Sequence, residues 1–192
     1  MRMIFQISLI QQKHQLVKIV ENFQKGEAFL AKLPYKKHEL APVMSEDTIN
    51  YHYGKLARTY VDRFNSGEGD SYFNESGAFL HNIFFPQLMP PKSGNRPKES
   101  SEKLINKKYG NFVNFKKEFA ETAMKIQGSG WVYMSRNGDI KTIRNHAIRN
   151  DIALLVDWWE HAWALDYQHD KGRYLDNIWR CIDWNIVNTR LS

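Results

Sequence analysis

The chain is predicted to be α+β: an N-terminal antiparallel α-hairpin, then a C-terminal domain with a small three-stranded antiparallel sheet covered by helices. Three observations carry this. Apolar residues recur at three- and four-residue steps over about 46–65 and 74–89, joined by the polar, Gly-containing "NSGEGDSYFNE". The Pro-rich "PQLMPPKSGNRPKE" then breaks the helical pattern. Beyond it, "WVYMSRNGDIKTIRN" sets two β-prone runs around Asn137-Gly138, and "IALLVDW" adds an apolar run of strand length. The expected division is 1–31 as a helical extension, 32–92 as the α-hairpin domain and 93–192 as the C-terminal domain.

The elements follow in order. Ile10, Leu16, Val17, Val20 and Phe23 give residues 1–30 an amphipathic helical spacing. "LPYKKHELAPVMS" reads as an extended entry. Ser45 is the expected N-cap of the next helix, with Glu46 and Asp47 in the first turn where the helix dipole favours acids. That helix places Ile49, His52, Leu56 and Tyr60 on one face. The second carries Phe79, His81, Phe84 and Phe85. Helices over about 99–107 and 112–126 precede the strands, Asp157 closes the third strand, and a helical tract runs from about 170 to 190.

Bulk properties narrow the function. The 192 residues suffice for a real core, and 14% aromatic content supplies rings that wall off dry sites. A net charge of +6 raises nucleic acid as a partner, but the cations are scattered among acids and apolar residues, as on solvated helix faces. The expectation is no nucleic acid, and an attraction for small anions instead. No apolar run reaches the ~18 residues of a membrane span. One cysteine, Cys181, excludes an intramolecular disulfide and fits a reducing compartment, so the expected location is cytoplasmic.

Polar residues among the rings point to chemistry. Of seven histidines, His14, His38 and His169 lie in polar contexts. His52 and His81 sit on apolar faces of separate helices. In "DWWEHAWALDY", Asp157 and His161 stand four residues apart inside the most aromatic segment, where burial penalises both unless something pairs with them. A lone histidine on an apolar face is usually a hydrogen-bonded core residue. Three imidazoles and a carboxylate together suit iron, manganese, zinc or cobalt, with no thiolate to select copper or an iron–sulfur cluster.

"DWWEHAWALDY" resembles the D-x-W-E-H-A signature of the iron/manganese superoxide dismutases. The likeness extends to "LPY" with "TINYHYGK" at 33–55, "HNIFF" at 81–85, "QGSGWVY" at 127–133, "RYLDNIWRCIDW" at 173–184 and the final "NTR". It covers about residues 33–192 in family order. The resemblance implies metal ligands His52, His81, Asp157 and His161 around one iron or manganese per subunit, with superoxide as substrate. It implies that Tyr60 gates the substrate funnel and that Trp131, Trp159, Phe84 and Phe85 form the ring shell. Glu160 would reach across a homodimer interface, with a tetramer as the larger alternative, to the neighbouring subunit's ligand histidine. Lys55 and Lys171 would steer the anionic substrate. A dismutase-fold scaffold that has lost catalysis is the alternative function.

Two departures from the family pattern stand out. The family usually has His where this chain has Leu56, and often Tyr where it has Ala164; these partners hydrogen-bond across the dimer interface. Replacing both together avoids stranding a buried polar group, so Leu56 of one subunit is expected to pack near Ala164 of the other. The family also places a Gln, or sometimes a His, beside the metal-bound solvent. The position four residues before the second ligand is Gly77 here, so His146 takes that role. The Gly/His combination favours iron.

Overall fold

The computed structural model describes residues 26–192. The amphipathic helix expected over 1–30 lies outside the described residues up to residue 25. Residues 26–31 are not helical: Ala28, Leu30 and Ala31 are buried along an irregular stretch. Its backbone bonds to two side chains instead. Ala28 N–H donates to Asn65 Oδ1 (2.7 Å), and Ala31 N–H to Asn82 Oδ1 (2.8 Å). Those amides satisfy the polar backbone that a helix would have satisfied internally.

The first hairpin helix has three parts: α1 (Glu46–Tyr51), a π-helical turn (His52–Ala57) and α2 (Arg58–Ser66). Ser45 caps it as expected, accepting from Thr48 N–H at 3.1 Å. The π turn departs from the uniform α spacing. It inserts an extra residue into one turn, so Ala57 and Val61 take the core positions and Leu56 moves out to half-burial. Gly67, with φ 72°, ends the helix: its left-handed backbone lets Glu68 N–H reach back to Arg63 O (2.9 Å). Asp70 then caps α3 (Ser71–Phe84) through Phe73 N–H at 2.7 Å. This helix starts earlier than expected and ends in a 3-10 turn, Phe85–Gln87, at Pro86.

The Pro-rich segment is sewn to the far end of the chain. Met89 N–H donates to Cys181 O (2.7 Å), Lys92 N–H to Arg180 O (2.9 Å), and Leu88 forms a bridge with Ile182. That pairing interrupts the expected continuous tract 170–190. It becomes α7 (Lys171–Ile178), a 3-10 turn (Trp179–Cys181) and α8 (Trp184–Leu191), which Asp183 caps. A short α6 (Ala164–Tyr167) precedes them.

Helices α4 (Glu99–Tyr109) and α5 (Phe112–Met124) lead into the sheet. Its strands are β1 (Gly130–Ser135), β2 (Ile140–Arg144) and β3 (Ile152–Asp157), antiparallel in the order β2-β1-β3. The hairpin turn lies where Asn137-Gly138 predicts, but it is a three-residue loop. Ser135 pairs with Asp139, and Gly138 alone has positive φ (82°) in this turn, so the two-residue type with both central residues left-handed is absent. Strands β1 and β3 are buried along their whole length, and β2 is largely exposed. Phe112, Phe115 and Phe119 pack against Trp179 and Trp184, tying α5 to the C-terminal helices.

Candidate metal centre

The polar cluster draws on both halves of the chain. His52 opens the π turn and His81 lies in the last turn of α3; both are fully buried. Asp157 ends β3, and His161 follows in a 3-10 turn, Glu160–Ala162. Asp157 and His161 are therefore not neighbours on a helix; the chain turns sharply between them.

Hydrogen bonds aim each side chain. His81 Nδ1 donates to Gly77 O at 2.7 Å, which leaves its Nε2 lone pair facing the cluster. Asp157 Oδ1 accepts from Trp159 N–H (2.9 Å), so Oδ2 alone faces the imidazoles. Onto that oxygen converge His52 Nε2 at 3.0 Å, His161 Nε2 at 3.3 Å and His81 Nε2 at 3.7 Å. The four ligand atoms all lie within 4.8 Å of one another.

These residues fit a metal ion. Burial, followed by the neighbouring His161, pushes His52 down to about 4, and burial with His52 beside it holds His81 well below the usual imidazole range. Both rings are thus neutral at neutral pH. Burial alone would raise the Asp157 carboxyl, but His161 and the hydrogen bonds from His161 and His52 outweigh it and hold it far below the carboxylate range. An anion then faces neutral imidazoles. Beyond Asp157 Oδ2, His52 Nε2 and His81 Nε2 meet no polar partner among the described residues. A cation among these atoms would satisfy the Nε2 lone pairs and the carboxylate together. Donors ~2.1 Å from a shared ion stand about 3–4 Å apart, which is the scale observed.

Rings enclose the cluster. Phe85 and Phe84 lie 4.8 and 5.7 Å from the His52 ring, Trp131 5.1 Å from His81, and Trp159 stacks on His161 at 5.5 Å. Tyr60, half-buried, stands 5.4 Å from His81 and 4.9 Å from His146. Its ring rests on Gly77, where a Cβ would come within 2.9 Å of it. Burial, with Asp157 beyond it, pushes the Tyr60 hydroxyl up to about 12, so it is a neutral phenol.

His146 follows β2 by two residues, after Asn145 turns the chain with φ 51°. It stacks on Trp159 at 4.5 Å and is buried. Trp131 Nε1 donates to its Nδ1 at 3.2 Å. Indole N–H can only donate, so Nδ1 accepts and the proton of the neutral ring sits on Nε2. That Nε2–H has no partner among the described residues.

The remaining site expectations are placed as follows. Glu160 and Lys55 are exposed, and Leu56 and Ala164 are half-buried. Lys171 holds its ammonium over the Trp158 ring at 5.4 Å. His38 and His169 are exposed, and His14 lies outside the described residues.

Three supporting residues escaped the sequence reading. Asp166 Oδ2 accepts from Ser45 N–H and Thr48 Oγ1, each at 2.8 Å, tying the start of the His52 helix to the segment after His161. Gln87 bonds the Leu155 backbone through both ends of its amide. Arg190, buried, donates to Gln87 Oε1 (3.0 Å), Ile83 O (2.8 Å) and Ala153 O (3.3 Å). It thereby joins the His81 helix to the Asp157 strand. Gln87 had a local signal, a lone amide in the apolar run "FFPQLM"; Asp166 and Arg190 lie inside the family-like "DWWEHAWALDY" and "NTR", but nothing local marked their bonding roles.

Comparison with known proteins agrees with this geometry. Residues 28–74 match the alpha-hairpin domain of the iron/manganese superoxide dismutases, and residues 97–190 match the C-terminal domain. The chain is 34% identical over 189 residues to a superoxide dismutase [Fe] of Bacteroides fragilis, covering 84% of this chain and 98% of that protein. It is 33% identical over 187 residues to a superoxide dismutase [Mn/Fe] of Porphyromonas gingivalis, covering 84% and 97%. A superoxide dismutase [Fe] of Pyrobaculum aerophilum is 33% identical over 192 residues, covering 85% and 91%.

Proposed function

The chain belongs to the iron/manganese superoxide dismutases, and from that premise we propose that it converts two superoxide ions and two protons into dioxygen and hydrogen peroxide. The observation that carries the reading is the convergence of the His52, His81 and His161 Nε2 atoms on Asp157 Oδ2. Those four residues would hold one iron or manganese per chain. Iron is the preferred ion: His146 replaces an amide beside the site, and two of the three relatives named above are iron enzymes.

A bound iron or manganese supplies the one-electron exchange with successive superoxide ions. The chain supplies the rest. The ring wall keeps bulk water from the buried ligands, which strengthens every charge interaction inside. His146 presents a fixed N–H donor whose direction Trp131 sets. Tyr60, neutral and half-buried, stands between His146 and the solvent side; it can pass its proton inward and take another from solvent, and its raised pKa returns it to the phenol.

Substrate steering falls to Lys55, which is exposed, and to Lys171, whose charge is anchored on Trp158. Cations of this kind raise the arrival rate of a small anion ~10–10³-fold. Glu160 is exposed and has no ion pair within the described residues, and His161 Nδ1 has no hydrogen bond there. This supports a homodimer in which Glu160 of one copy accepts from His161 Nδ1 of the other, with Leu56 and Ala164 facing across the same interface. The buried lone cysteine suits a reducing compartment, and we assign the protein to the cytoplasm.

Metal analysis of the purified chain combined with a superoxide-consumption assay tests the reading. One iron or manganese per chain with rapid consumption is expected, and His81→Ala should lose both. Stoichiometric metal without consumption would favour the scaffold alternative.

A further inference from the structure

We propose that the free edge of β2 and the groove beside it bind an extended acidic peptide segment, an activity independent of the dismutase site. The sheet order leaves β2 on the outside. Ser135 N–H bonds Asp139 O, and Asn145 N–H bonds Ser129 O (3.0 Å), with Lys141 opposite Tyr133 and Ile143 opposite Trp131. Odd-numbered residues of β2 therefore turn their backbone groups to β1. Ile140, Thr142 and Arg144 turn theirs outward. The Tyr109 hydroxyl, which donates to Gly138 O, covers the Ile140 N–H. Among the described residues, nothing pairs with the outward backbone groups of Thr142 and Arg144.

That edge borders a groove of about 600 Å³, within the range of ligand sites. The C-terminal end of α5 and the chain just after it form the opposite wall, through Thr122, Lys125, Ile126 and Gln127. A slot between an edge strand and a helix is the geometry in which an extended peptide adds as a further strand: the backbone ladder holds it and alternate side chains enter the slot.

Charge selects the partner. Lys125 and Arg144 both line the groove, both are exposed, and neither has an ion pair within the described residues. Lys141, by contrast, is paired with Asp151 at 2.8 Å. Two uncompensated cations beside open backbone donors favour glutamate or aspartate side chains on an extended chain over basic or neutral ones.

The test uses the full-length, metal-loaded protein and two fluorescein-labelled hexapeptides, one alternating Glu with Val and one alternating Lys with Val. Fluorescence anisotropy should show saturable binding of the first and none of the second. Thr142→Pro removes one outward N–H and leaves the bonds to β1 intact; it should weaken binding about tenfold or more. The pair Lys125→Glu and Arg144→Glu should abolish binding while superoxide consumption stays at the wild-type rate, and it tests the proposal even where the proline variant fails to fold. No binding at millimolar protein, equal binding of both peptides, or undiminished binding by the charge-reversed variant would overturn it.

Discussion

Trp131 donates its indole N–H to His146 Nδ1 across 3.2 Å, and that one bond decides which nitrogen of His146 carries the proton. The unpartnered Nε2–H is then a donor of fixed direction inside a ring-walled site. Trp131→Phe should free the tautomer, which long-range ¹⁵N spectra of the metal-free protein would show as a shift of the His146 nitrogens toward an Nδ1–H mixture. His146→Ala should move the metal's midpoint potential with little change in metal content. An unchanged potential would retire His146 as a tuning group.

Arg190 ties three backbone or side-chain acceptors from the His81 helix and the Asp157 strand. Removing its guanidinium leaves buried acceptors unpaired, so Arg190→Ala should cost about 3 kcal/mol or more by chemical denaturation. Gln87→Ala should also destabilise. The double variant should lose less than the sum, because both residues act through Gln87 Oε1.

Cys181 is fully buried, and burial pushes its thiol up to about 12. An unfolded thiol ionises near 8.5. The native state therefore holds its proton where the unfolded state releases it, so this group leaves stability unchanged at pH 7 and lowers it as pH rises from about 9 towards 12. Disulfide-exchange reagents at pH 8 should leave the native chain untouched and modify one thiol per chain after denaturation.

By the resemblance to the family, Leu56 and Ala164 stand in the places of a polar pair, and we propose that they face each other across the dimer interface. Leu56→His alone should not raise turnover, because the new imidazole would lack its partner. Leu56→His with Ala164→Tyr should recover what the single change loses. Steady-state rates with and without added hydrogen peroxide would show whether the pair also sets product inhibition. A large gain from the single change would sink the coupling.

Much of the site was legible in the sequence, because a helix or strand repeats its orientation at a fixed period. His52 and His81 on apolar faces, and Asp157 at the end of an apolar run, announced buried polar atoms. Ser45 announced its own cap. The local reading failed where distant segments intervened. The π turn at His52–Ala57 shifted Leu56 out of the core stripe, and pairing of 88–92 with 180–182 broke the last helical tract. The stretch 26–31 gave up helix for bonds to Asn65 and Asn82.

By itself, then, the sequence determined the ligand types, their burial and the elements that carry them, since each follows from residues a few positions apart. Only the tertiary structure decided that three Nε2 atoms meet one carboxylate oxygen, that Trp131 orients His146, and that Arg190 and Asp166 lock the ligand-bearing elements together. Most of those relations join residues dozens to more than a hundred positions apart, and even Trp131 and His146 are 15 apart on different elements. A hydrogen bond needs its atoms within a few tenths of an ångström, and only the packed chain sets distances that finely.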